Sequence, residues 1–207
     1  MPAPPAMPSS YARFPPRRQA ERMLGMVNHA LQEMVTERHG ATAWDVIRAD
    51  AGVDDRVFVV MKQYPDEVTY KLAGAAAKAL GVSVPDALRA FGQFWIVYAE
   101  RQPWGKVMHS MGKSVRELLP ALNALHARIA LAFPGVDMPQ FRTETDADGS
   151  LQVHYFSSRP GLGPFVHGAL EGIGAMYGEV IEVSQVEDRA AGAPHDVFLV
   201  KFPEVGG

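Results

Sequence analysis

Residues 115–159 read VRELLPALNALHARIALAFPGVDMPQFRTETDADGSLQVHYFSSR, and the fold turns on a change of period inside them. As far as Phe133 the apolar residues return every three or four positions, at Val115, Leu119, Leu122, Ile129 and Phe133. That spacing predicts a long helix over 115–133 with one apolar face. Pro120 falls inside it, where a proline removes a hydrogen bond and allows a kink, and Pro134-Gly135 stops it. An alternation of two then takes over. Residues 140–145 and 151–158 read as strands, joined through the turn Asp146-Ala147-Asp148-Gly149 into a hairpin.

Upstream of this stretch the pattern is helical. Met26, Val27, Ala30, Leu31, Met34 and Val35 share one face, and Gly40 closes that helix. Residues 42–49 and 66–80 form two more helices. Ser83-Val84-Pro85-Asp86 opens a further one, with proline in its first turn and an acid at its positive end. That helix carries Phe91, Phe94, Trp95 and Tyr98, which must bury against something. Downstream, 162–177 is a helix, and 180–186 and 196–202 are strands. The class is α+β: an N-terminal helical subdomain followed by a C-terminal antiparallel sheet of about four strands with helices. Residues 1–22 differ in texture. Pro2, Pro4, Pro5, Pro8, Pro15 and Pro16 crowd a segment poor in large apolar residues, which predicts a disordered tail or a true start at Met23. The folded domain is then expected over 23–204.

Composition narrows the function. Hydrophobic residues make up 47% and charged residues 21% of 207, enough for a real core. A formal net charge of -3 gives no basic field, so nucleic acid is not an expected partner. No run of about 18 apolar residues exists, so no membrane span is expected. The proline-rich segment lacks the apolar core of a secretory signal, which leaves the cytoplasm as the expected compartment. The absence of cysteine removes disulfides, thiolate metal sites, iron–sulfur clusters and cysteine nucleophiles. No acid–base pair or activated nucleophile stands out, so an enzyme is not expected.

Two features invite a ligand. His126 is the sixth member of the stripe on the 115–133 helix, its one polar position. A histidine there needs a hydrogen-bond partner or a metal. It is either a core residue bonded to a backbone carbonyl or a ligand. No second histidine lies at i+4, which disfavours zinc, whereas haem needs one protein ligand and a large apolar slot. On the second strand Leu151, Val153, Tyr155, Ser157 and Arg159 share a face by period two. Two hydroxyls and a guanidinium suit a ligand with two carboxylates, such as haem with its propionates. The alternative is a strand that emerges into solvent.

Leu122-Asn123-Ala124-Leu125-His126, Phe133-Pro134-Gly135, Pro139-Gln140-Phe141-Arg142 and Tyr155-Phe156-Ser157-Ser158-Arg159 occur in an order that resembles the H-NOX haem domain, above all that of the soluble guanylate cyclase β subunit. Met23-Leu24-Gly25-Met26-Val27-Asn28-His29-Ala30-Leu31 and Phe91-Gly92-Gln93 extend the resemblance, which runs to about Pro203. The resemblance implies haem b, iron protoporphyrin IX, held between the helical part and the sheet. It implies that His126 is the proximal ligand to iron, that Tyr155, Ser157 and Arg159 bind the propionates, and that Pro139 presses on the macrocycle. Oxygen-binding members of the family carry a distal tyrosine. The matching position here is Phe165, and 160–168 holds no tyrosine. The other distal positions fall on Leu31, which has no donor, and on Trp95, which has an indole N–H. His167, on the same helix as Phe165, is expected at the surface or behind the pocket.

The resemblance thus implies a sensor of nitric oxide, with carbon monoxide also able to bind and oxygen discriminated against. Nitric oxide would weaken the bond to His126 and free the long helix. By analogy with bacterial relatives, a stand-alone sensor would signal to a separate histidine kinase or cyclic-di-GMP enzyme. Two alternatives remain open: an oxygen-binding sensor whose distal donor is not tyrosine, and a haem-free binding module on the same scaffold.

Overall fold

A computed structural model describes residues 22–133 and 135–203. The expected tail lies outside the described residues except for Arg22, and so does Pro134. Arg22 belongs to the fold: β1 (Arg22–Leu24) pairs antiparallel with β2 (Gln63–Pro65), Arg22 opposite Pro65. Local periodicity carried no sign of these three-residue strands, because each exists only through a partner 40 residues away.

The helical part follows the expected order. It comprises α1 (Gly25–His39), α2 (Ala41–Asp50), α3 (Asp66–Leu80) and α4 (Val84–Arg101). Two of their ends are set by local chemistry. Ser83 caps α4 by accepting from the Asp86 N–H at 3.2 Å, while its own hydroxyl donates to the Asp86 carboxylate. Gly81 closes α3 in the left-handed region, at φ 67°. A short helix, α5 (Pro103–Met111), follows α4 and was not expected. Pro103 sits in its first turn, where a missing N–H is harmless.

The long helix α6 (Val115–Ala132) runs through Pro120 without interruption. Ser114 caps it by accepting from the Glu117 N–H at 3.2 Å. The sheet consists of β3 (Gln140–Thr145), β4 (Leu151–Phe156), β5 (Glu182–Glu187) and β6 (Asp196–Lys201), antiparallel throughout in the order β3-β4-β6-β5. Helix α7 (Gly163–Tyr177) connects β4 to β5. The expected hairpin turn is present, with the Gly149 N–H donating to the Asp146 carbonyl at 2.9 Å.

Two large apolar cores result, beside a small third cluster of Leu24, Met26 and Phe133. One lies among α1 to α4 and includes Leu31, Val35, Ile47, Phe58 and Leu72. The other lies between the sheet and helices α4 to α7 and includes Leu118, Leu119, Val153, Leu170 and Phe198. Trp95 and Phe165 pack against both. The two halves meet where α4 crosses α7 at very short range. A Cβ built on Gly92 would stand 2.0 Å from the Phe165 carbonyl oxygen, and one on Gly168 would stand 1.9 Å from that of Arg89. Only glycine at both positions permits this backbone-to-backbone approach.

Candidate functional site

A cavity of about 250 Å³ opens between the two halves, walled by α1, α4, α6, α7 and the segment leading into β3. Its walls are overwhelmingly apolar: Leu88, Phe91, Leu122, Leu125, Ile129, Phe141, Phe165 and Leu170 are among them. His126 stands on one wall. Its Nδ1 lies 2.8 Å from the Leu122 carbonyl oxygen, so Nδ1 carries the proton and donates. That leaves Nε2 with its lone pair free, and no hydrogen-bond partner reaches it among the described residues. The ring stacks on Phe141 with centroids 5.3 Å apart and planes 25° apart. Burial holds its pKa below the usual imidazole value, partly offset by the bond to Leu122. The neutral, oriented imidazole is the form that ligates metals, and the carbonyl bond is the means by which proteins fix which nitrogen does so.

The rim of the cavity is polar and is centred on Arg159, which is 7% exposed. Its Nε donates to Asp66 Oδ2 at 2.8 Å, Nη1 to the Asp137 carbonyl at 2.8 Å and Nη2 to the Arg22 carbonyl at 3.1 Å. A guanidinium has five N–H donors, so with these three bonds among the described residues one on each terminal nitrogen remains for a further acceptor. Tyr155 lines the cavity beside it. Burial raises the Tyr155 pKa, so the phenol is neutral. Ser157 does not line the cavity. β4 ends at Phe156, and the Ser157 hydroxyl accepts the Arg159 N–H at 3.1 Å, turning the chain. The predicted alternation therefore brings Tyr155 and Arg159 to the site and leaves Ser157 one bond behind it. Pro139 lies on the wall, next to Met138 and Asp137.

Away from His126 in sequence, α4 and α7 supply Phe91, Trp95 and Phe165. Phe91 and Phe165 lie 5.3 Å apart, and Trp95 and Phe165 6.3 Å. Trp95 also stacks on Tyr98 at 5.9 Å. Leu31 is absent from this wall. It is 1% exposed and faces the helical core and a second cavity that shares Ala73, Leu88 and Phe91 with the first. His167 also stays outside, on the far side of α7, with Nε2 3.6 Å from Glu171. Most polar groups on the wall are committed. The Thr69 hydroxyl donates to Asn28 Oδ1 at 2.7 Å, and the Asp137 carboxylate accepts from Ser158. The Trp95 indole N–H has no hydrogen-bond partner among the described residues. Sequence reasoning missed Asp66, Asp137, Thr69 and Trp104 as site residues. Asp66 is joined to Arg159 across 93 positions, a separation no local pattern reveals.

The arrangement fits haem on its chemistry: one oriented neutral imidazole, flat apolar walls, and an arginine with two spare donors beside a buried tyrosine at the edge. The haem-NO-binding (HNOB) family model matches residues 24–185. The chain is 25% identical over 190 residues to soluble guanylate cyclase gcy-35 of Caenorhabditis elegans, covering 86% of this chain and 27% of that protein. It is 28% identical over 119 residues to the guanylate cyclase soluble subunit beta-2 of Rattus norvegicus, covering 55% and 17%. It thus spans about a quarter or less of the length of these relatives. Among solved structures it superposes on an H-NOX protein from S. oneidensis in the Fe(II)NO ligation state, with TM-score 0.80 at 21% identity over 88% of this chain and all of that one. It also superposes on an Fe(II) unliganded H-NOX mutant from K. algicida, with TM-score 0.75 at 19% identity over 88% and 98%. These structures share its fold, helical part and four-stranded antiparallel sheet alike. The family match over most of the chain adds what the shared fold alone does not: the chain belongs to the haem-NO-binding family, the H-NOX domains, which are haem-binding gas sensors.

Proposed function

We propose that this chain holds haem b with His126 Nε2 as the protein ligand to iron, and senses nitric oxide. Carbon monoxide binds the same site, and oxygen is discriminated against. The observation that carries the reading is His126 itself: Nδ1 is pinned to the Leu122 carbonyl, and among the described residues Nε2 is left without a partner on the wall of an apolar cavity. Haem would supply a ferrous iron able to take a diatomic gas. The remaining work falls to the chain. Arg159 offers its two spare N–H groups to the propionates, with Tyr155 and Ser157 beside it, and Pro139 presses a rigid ring against the macrocycle. Phe165 presents no hydroxyl, so the charge that oxygen would develop finds no donor there, while nitric oxide needs little.

His126 sits in the second half of α6, and the segment after α6 carries Pro139 into β3. A change in the pull on His126 therefore acts on one helix and on the segment that grips Arg159, a two-state element that a partner can read. The partner we propose is a separate histidine kinase or cyclic-di-GMP enzyme in the cytoplasm. One observation favours a second reading, an oxygen-binding sensor: among the described residues the Trp95 N–H has no partner, and Trp95 lines the cavity. The test is an anaerobic absorption titration of the ferrous protein with nitric oxide and carbon monoxide, with a parallel sample opened to air. Responses to both gases and none to air beyond slow oxidation support the proposal. A stable shift in air transfers the assignment to the Trp95 reading. A chain that takes up no haem overturns both.

A further inference from the structure

We propose that Asp66 is a positioning residue for ligand carboxylates: it fixes the plane of Arg159 so that the two spare guanidinium donors are held ready at the cavity rim. The inference rests on the haem reading of the cavity. Arg159 and Asp66 are each 7% exposed at the side chain, and the Nε–Oδ2 distance is 2.8 Å. The pair joins the first residue of α3 to the segment after β4. A buried arginine has many rotamers and pays dearly for leaving any donor without an acceptor. Here Asp66 takes Nε, and the Asp137 and Arg22 carbonyls take one N–H from each terminal nitrogen. Among the described residues three acceptors from three separate segments determine the plane, and Asp66 is the charged one of the three. A second tie holds the same two segments together, since the Tyr70 hydroxyl donates to the Pro160 carbonyl at 2.8 Å. The Ser158 hydroxyl meanwhile anchors the Asp137 carboxylate at 2.5 Å. Losing the Asp66 charge would let the guanidinium turn toward the two carbonyls, and its remaining donors would no longer face an incoming carboxylate as a pair.

The test compares retention of haem with retention of its dimethyl ester, which has the same macrocycle and no carboxylates. Both are loaded into the full chain, and the rate of transfer to a haem-scavenging apoprotein is measured. In the wild type, haem is expected to leave more slowly than the ester. In Asp66→Asn the haem-to-ester advantage is expected to fall about tenfold, the order of one charged hydrogen bond. A purely structural role for Asp66 would speed both transfers alike and leave the ratio unchanged, which would overturn the inference. A ratio that rises would overturn it too, since it would mark Asp66 as a competitor of the ligand. If Asp66→Asn is recovered unfolded, Asp66→Glu keeps the charge one methylene displaced, and an intermediate ratio is expected. A wild type that binds neither compound defeats the haem reading; a wild type that binds both with no advantage for haem defeats this inference alone.

Discussion

Alanine at Gly92 and alanine at Gly74 are the same substitution in helix interiors, yet the structure predicts opposite outcomes. At Gly74, in α3, an added Cβ meets nothing within 4 Å. Only the backbone term acts, and alanine gains roughly 0.5–1 kcal/mol over glycine. At Gly92, in α4, the Cβ would lie 2.0 Å from the Phe165 carbonyl oxygen and 2.7 Å from the Ala169 nitrogen. The first contact is about 1.4 Å inside the 3.4 Å at which ordinary van der Waals contact begins. Both obstacles are backbone of α7, so no side-chain rotation relieves them and the helices must part. Overpacking of this kind costs about 1–3 kcal/mol, and a rigid backbone obstacle argues for the upper end. Set against the propensity gain, the net loss is about 2 kcal/mol. For a domain of this size each kcal/mol moves Tm by roughly 2–4 °C. Thermal unfolding followed by circular dichroism should therefore show Gly92→Ala about 4–8 °C below the wild type and Gly74→Ala slightly above it. Because α7 carries Phe165 into the cavity wall, Gly92→Ala should also shift the Soret band of the haem-loaded protein, and Gly74→Ala should not. A Gly92→Ala variant as stable as the wild type would refute the close α4–α7 crossing on which the shape of the cavity depends.

Two further outcomes follow from named contacts. His154, His167 and His195 all have pKa values below the ordinary imidazole value, in each case chiefly because burial disfavours the charged ring. The pair His154–His195, with nitrogens 2.9 Å apart, and the nearby Arg142 add to this at His154, and Arg89 adds to it at His167. The folded state then binds fewer protons than the unfolded one, so their contribution is complete above about pH 6.5 and is lost as pH falls through the lowered values. Denaturant midpoints should fall progressively below about pH 6.5, and a midpoint rising there would reverse the sign of the argument. Phe165→Tyr places a hydroxyl on the wall of the proposed site. It should slow the loss of any air-induced spectral shift in the ferrous protein by tenfold or more, the scale of one buried donor; a variant indistinguishable from the wild type in air would remove Phe165 from the account of gas selectivity.

Much of this was legible because it is local. The period of 115–133 gave the helix and the face on which His126 stands, and α3 has the expected bounds of 66 and 80. The turn at Asp146 to Gly149 fixed the hairpin, and alternation along β4 put Tyr155 on the buried side. What periodicity could not show is what depends on partners distant in sequence. β1 and β2 are strands only for each other, and α5 is too short to repeat a pattern. Leu31 was expected at the ligand and lies in the helical core, because the direction of α1 relative to α4 is set by packing. Ser157 followed the alternation in sequence, but the strand stops before it. Asp66, an ordinary first-turn acid by sequence, is a buried partner of Arg159. The Tyr-Ser-Arg string suggested a carboxylate site without revealing what holds its arginine in place.

The central claim is that His126 Nε2 is the ligand that holds iron, and the most direct measurement is the ferrous absorption spectrum of wild type and His126→Gly, each recorded without and with added imidazole. The account predicts a histidine-ligated haem spectrum in the wild type, its loss in His126→Gly, and its return when imidazole fills the vacated space beside Leu122 and Phe141. A His126→Gly protein whose spectrum matches the wild type before any imidazole is added would contradict it.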